Sequence, residues 1–160
     1  MASTFPSSDP PPDLGVLFGD LVRCETRLYN GLNDRLRERH GIVTSQYEFL
    51  HYLRGHPGAR VADLAAEFAI GIGATSKGAD RLERHGWVAR QPNPDDRRSS
   101  LLVLTDEGTR LIDAAERTFT ERVTELVEGA LDGSQIAAVA QAFSLLRSAL
   151  EREQVGVPTG

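Results

Sequence analysis

Five basic residues carry the most evident chemistry in this sequence: Lys77, Arg81 and Arg84 in one short stretch, and Arg97 and Arg98 in another. Guanidinium and ammonium groups bind phosphates and, at close range, the acceptor edge of guanine. Lys77, Arg81 and Arg84 recur at i, i+4 and i+7, a spacing that places them on one face of a helix. Ala74 and Ser76 precede them, and small residues near a helix start let it approach a surface closely. Ser76 and Lys77 are placed to reach base edges, and Arg81 and Arg84 to reach phosphates. Arg97 and Arg98 lie in the polar turn Pro92–Arg98, where a side chain held away from the core fits a narrow minor groove of negative potential. Asp96, beside Arg98, is positioned to orient its guanidinium through a charge-assisted hydrogen bond.

Taken as a total, the net charge of −5 opposes such a partner. Binding, however, follows local fields rather than totals. Between Ile72 and Leu104 six basic residues face four acidic ones, a local excess of +2 within an acidic chain.

The elements that must position these groups follow from periodicity. Residues 13–39 predict a helix, with Leu14, Leu17, Leu21, Leu28, Leu32 and Leu36 on one stripe and Gly41 closing it. Ser45-Gln46-Tyr47-Glu48 has a capping-box pattern, with Thr44 as the alternative cap, opening a helix to about Arg54. Ala59 and Arg60 read as a very short strand. Val61–Phe68 is a short amphipathic helix, Ala69-Ile70-Gly71 a turn, and Ile72–His85 a second helix ended by Gly86. Trp87–Gln91 and Ser99–Leu104 read as the strands of a hairpin. Thr105 caps a helix over Asp106–Glu128, and Asp132 with Gln135 opens a last one ending near Arg152. A helix, a tight turn, a second helix and a hairpin make a winged helix-turn-helix.

At these residues the chain resembles the MarR family of bacterial regulators. Asp96-Arg97-Arg98-Ser99-Ser100-Leu101-Leu102-Val103-Leu104-Thr105 is similar to the family's wing signature, and Asp106-Glu107-Gly108 continues it. Ala79–Val88 resembles the end of its recognition helix, and Thr44–Tyr47 the start of its second helix. The likeness spans about Leu14 to Leu150. It implies a mainly α fold with a small β-hairpin wing: a DNA-binding lobe over residues 44–105 between dimerisation helices at 13–40 and 106–152, with flexible tails at 1–12 and 153–160. It implies a homodimer on a pseudo-palindromic operator of double-stranded DNA, acting as a repressor released by a small molecule, with Arg98 in the minor groove and Asp96 as its support. Two positions depart from the family pattern. Gly71 stands where Ser or Thr often caps the recognition helix. Gly78 stands where a large apolar residue is common, and Thr75 replaces another. A looser or differently packed recognition helix is the expectation.

Other readings are weaker. The stripes of the first and last helices exceed what two neighbours need, which independently points to pairing with a second copy. Arg23, Tyr47 and His51 are candidates for an effector pocket, weighed against ordinary interface packing. Cys24 has no second cysteine to resolve an oxidised thiol, so a packed small hydrophobe is expected. His40, His51, His56 and His85 show no zinc spacing, and no cofactor, phosphate loop or nucleophile motif is evident, so an enzyme is not expected. No signal peptide or membrane span is read, and a cytoplasmic location is expected. The alternative is a protein-interaction module that has lost specific DNA binding, which the acidic remainder of the surface permits.

Overall fold

The protein is described here by a computed structural model over residues 11–158. Its elements run α1 (Leu14–His40), α2 (Thr44–Gly55), α3 (Val61–Glu67), α4 (Ile72–Arg84), β1 (Val88–Pro92), β2 (Ser100–Leu104), α5 (Asp106–Glu128) and α6 (Gly133–Arg152). The predicted order is present, with boundaries displaced by one or two residues. β1 and β2 pair antiparallel, Val88 opposite Leu104 and Pro92 opposite Ser100. The short strand expected at Ala59 and Arg60 reduces to a single bridge between Ala59 and Leu102.

The core is centred on α2. Leu50 and Leu53 pack with Leu36 of α1, Leu64 of α3, Leu82 of α4, Leu102 of β2, and Ile112 and Ala115 of α5, all buried. One amphipathic helix therefore joins the helix-turn-helix to the long helices around it. Tyr47 stacks on Phe119 with ring centroids 4.2 Å apart. Arg54 donates to Asp113 at 2.9 Å and to Glu116 at 2.5 Å. Both contacts tie α2 to α5.

The start of α2 differs from the expected cap. Neither Ser45 nor Thr44 is the N-cap; Val43 is, and its N–H donates to Gln46 Oε1 at 3.0 Å. Thr44 is buried, and its N–H donates to Asn33 Oδ1 at 2.7 Å. A side chain eleven residues away outcompetes the local cap because it also closes the α1–α2 corner. At α3, Asp63 instead reaches back to the Arg60 N–H at 2.8 Å and accepts from its guanidinium.

The tails expected at 1–12 and 153–160 fall partly outside the described residues, at 1–10 and 159–160. Glu153–Gly156 is a closing turn rather than an open tail. The Gln154 N–H donates to Glu151 O at 3.1 Å and the Val155 N–H to Leu150 O at 2.9 Å, with Gln154 at φ 52°.

The same device makes the turn between α3 and α4. The Ala69 N–H donates to Ala66 O and the Ile70 N–H to Ala65 O, with Ala69 at φ 50°. This is a Schellman motif with alanine where glycine is usual. A left-handed L-residue costs about 1–2 kcal/mol. Glycine would remove that strain and lose about 0.4–1 kcal/mol through a more flexible unfolded chain. Ala69→Gly should therefore raise stability by about 0.5–1 kcal/mol, measured as a higher urea midpoint at unchanged slope.

Candidate nucleic-acid interface

α4 begins at Gly71, whose carbonyl accepts from the Thr75 N–H and hydroxyl, both at 3.0 Å. Thr75, Ala79 and Leu82 are buried. The opposite face carries Ala74, Lys77, Arg81 and Arg84, all exposed, while Ser76 is half-buried on its flank. The expected set thus shares one side of the helix, with Ser76 at the margin. The acidic residues of α4 are occupied elsewhere. Arg90 of β1 binds Asp80 and donates to Glu83 at 3.1 Å. No acidic side chain pairs with Lys77, Arg81 or Arg84 among the described residues. The positive field of this face is therefore less cancelled than its composition implies. Arg90, which the sequence placed among the basic residues of the region, serves here as a counter-charge.

The wing is held by short-range hydrogen bonds. Asn93 Nδ2 donates to Ser99 Oγ at 2.8 Å, closing the loop, and the Asp95 N–H donates to Asn93 Oδ1. The Arg98 N–H donates to Asp96 Oδ1 at 2.9 Å. Asp96 thus supports Arg98 through its backbone, and the expected bond to the guanidinium is absent. The Asn-x-Asp and Asp-x-Arg spacings are Asx-turn patterns, a sequence signal for this arrangement. Arg97 and Arg98 are both exposed, and neither has an acidic partner among the described residues.

The root of the wing is a single joint. Thr105 Oγ1 donates to Gly86 O at 2.6 Å and accepts from the Gly108 N–H at 3.0 Å, while the Thr105 N–H donates to Trp87 O. A Cβ on Gly108 would run into the Trp87 carbonyl. Trp87 itself is half-buried and stacks on His85 with ring centroids 4.3 Å apart. It borders the core rather than filling it.

The sequence and the fold are similar to those of known regulators. A MarR-family sequence model matches residues 42–100, from the α1–α2 corner into β2. The chain is 25% identical over 129 residues to the multiple antibiotic resistance protein MarR of Escherichia coli, covering 77% of this chain and 90% of that one. It is 28% identical over 156 residues to the transcriptional repressor NicR of Pseudomonas putida, covering 94% and 96%. Its fold superposes with a TM-score of 0.81 on Sco3205, a MarR family regulator from Streptomyces coelicolor in complex with DNA, at 24% identity over 94% of this chain and 98% of that one. The chain is thus similar to MarR-family regulators, in sequence over residues 42–100 and in fold over most of its length.

Against the family pattern, the substitution at Gly78 does not loosen α4. Phe49 of α2 occupies the space, its ring carbon Cε2 2.8 Å from where a Cβ on Gly78 would sit. Of the candidate effector residues, Tyr47 and His51 are brought together and Arg23 is not. Tyr47 and His51 stack at 5.6 Å on the α5 side of α2, and burial pushes the Tyr47 hydroxyl up to about 12. His51 lies 3.6 Å from Glu116. Arg23 sits 3.7 Å from Asp20 on an exposed part of α1, outside that stack. A cleft of about 820 Å³ touching α4 lies on the other face of α2 and includes Tyr29, Glu48, Phe49 and Gly78. Cys24, expected to be packed, is exposed on α1 in the single chain.

Gly108→Ala should displace the wing root and lower stability by about 1–3 kcal/mol, the usual cost of overpacking. The check is a thermal melt beside Thr105→Ser, which keeps the bonding hydroxyl and should stay near the parent.

Proposed function

We propose that this chain is a homodimeric MarR-family repressor that grips double-stranded DNA with α4 in the major groove and the wing in the minor groove. The observation that carries the reading is the separation of charge around α4. Asp80 and Glu83 are tied to Arg90, while Lys77, Arg81 and Arg84 stay exposed on the outer face. Arg97 and Arg98 extend the same cationic surface at the hairpin tip. In the proposed assignment, Ala74 and Ser76 allow close approach, Lys77 reaches base edges, and Arg81 and Arg84 reach phosphates. Arg98 enters the minor groove, with Asp96 ordering its backbone.

A second copy is supported by what the single chain leaves uncovered. α6 buries none of its residues, and Phe143, Leu145, Leu146 and Leu150 stay exposed. The N-terminal half of α1 does the same through Leu14, Leu17, Phe18 and Val22, whereas Leu32 and Leu36 near its other end are buried. Isolated apolar side chains on a surface are ordinary, but two contiguous stripes mark an interface. Pairing of these helices by a two-fold axis would place two copies of α4 about 34–36 Å apart, one DNA turn. No described helix is long and apolar enough to cross a membrane. The proposed place of action is the cytoplasm, where the operator is accessible. The relatives named as repressors support repression as the outcome.

The decisive experiment is binding to a duplex from the promoter beside the chain's own gene, titrated across salt. Affinity should fall steeply as salt rises, because Lys and Arg release counterions from DNA. Flat, weak binding would instead favour an interaction module without DNA recognition. Arg98→Ala should weaken binding and lower the salt slope by about one; an unaltered slope would remove the wing from the contact. Phe143→Glu should turn a dimer into a folded monomer in sedimentation equilibrium at micromolar concentration. A parent chain that sediments as a monomer would sink the two-fold arrangement.

A further inference from the structure

Ile72, the first residue of α4, is 56% exposed. The other exposed large apolar side chains among the described residues lie on the N-terminal half of α1, on α6 and in the segment after it. Those on the two helices belong to the stripes assigned above to a second copy. Ile72 stands apart from them, at the leading end of the helix assigned to the major groove.

Its surroundings are bare. Gly71 precedes it, Gly73 and Ala74 follow, and Ala74 is itself exposed. A Cβ on Gly71 or Gly73 would meet nothing within 4 Å, and neither residue has a positive φ. Neither packing nor turn geometry therefore demands glycine at these positions, and glycine inside a helix, as at 73, is destabilising relative to alanine. The effect of the two glycines is to leave the Ile72 side chain standing clear, open to close approach from outside the chain. Ser76, one turn on, shares its flank of the helix and is half-buried.

The residue type defines the ligand chemistry. The N-terminal residues of a recognition helix are those that meet base edges. A branched hydrocarbon side chain cannot read donors or acceptors. The apolar group that a base pair displays in the major groove is the C5 methyl of thymine. We propose that Ile72 is a specificity-determining residue that packs on the C5 methyl of one thymine in each half-site, so that the chain selects a T·A pair there. The proposal rests on the DNA-binding reading above and adds a base identity that the cations of α4 and the wing do not supply.

The test compares two versions of the promoter duplex, one carrying thymine and one carrying uracil throughout. They share sequence and pairing and differ in the C5 methyls. Loss of one buried methyl costs about fourfold in affinity, and of a symmetric pair about 16-fold. The full-length parent should favour the thymine duplex by that factor. Ile72→Ala should bind the two duplexes almost equally, and Ile72→Val should keep most of the preference. Because Ile72 is exposed, each variant should melt near the parent. The salt slope of Ile72→Ala should match the parent's, since no phosphate contact is lost. Single uracil substitutions should place the contact at one thymine on each side of the two-fold axis. An Ile72→Ala variant that keeps the parent's preference for thymine overturns the assignment. So does a lowered salt slope, which would mean that α4 has moved off the phosphates. A parent that binds both duplexes equally removes Ile72 from base recognition alone, whereas a parent that binds neither fails the DNA-binding reading beneath it.

Discussion

The structure turns on one joint, the hydrogen bonds around Thr105. This residue caps α5, receives the Gly108 N–H, and donates to the carbonyls of Gly86 and Trp87. Gly86 ends α4 in a left-handed conformation at φ 77°. Three things therefore meet within a few residues: the end of α4, both roots of the hairpin, and the start of the long helix α5. The wing cannot tilt relative to α4 without breaking these bonds, and α5 cannot move without carrying the wing. A glycine at position 108 is a geometric requirement of this closure, since its backbone lies against the Trp87 carbonyl.

Around that joint, charge is distributed so that function and stability use different residues. Arg90 draws Asp80 and Glu83 to the strand side of α4. Arg60 is occupied by Asp63, which its guanidinium holds below the usual carboxylate range. Arg54 joins α2 to Asp113 and Glu116 of α5. On the outer face of α4 and at the hairpin tip, Lys77, Arg81, Arg84, Arg97 and Arg98 have no such partner among the described residues. Exposed ion pairs contribute little individually. Their larger effect here is spatial, since they decide where positive potential remains available to an anionic partner.

The uneven packing of the long helices has a similar logic. α1 is buried near its C-terminal end by α2 and α5, while its other end and all of α6 keep apolar side chains in solvent. α2 touches α1, α4, α5 and β2, which makes it the mechanical link between the helix-turn-helix and the long helices. Tyr47 stacks on Phe119 along one of its faces, and Glu48 meets Tyr29 along another. Anything that separates α1 from α2 must disturb the Tyr29–Glu48 contact.

The residues alone determined the order of elements, the helix-turn-helix and the hairpin, because each rests on local periodicity, capping or turn chemistry. Asp132 with Gln135, Thr105, and the Asp13–Gly41 limits of α1 act within a few residues of chain, and so could be read directly. What the tertiary structure decided depends on partners distant in the chain. Asn33 displaced the local cap of α2, Arg90 took up the acids of α4, and Phe49 filled the space beside Gly78. Tyr47 and His51 turned toward α5, away from Arg23 and from the cleft. Side-chain identity limits which bonds a residue can make, but the choice among them belongs to whichever neighbour the folded chain brings within about 3 Å.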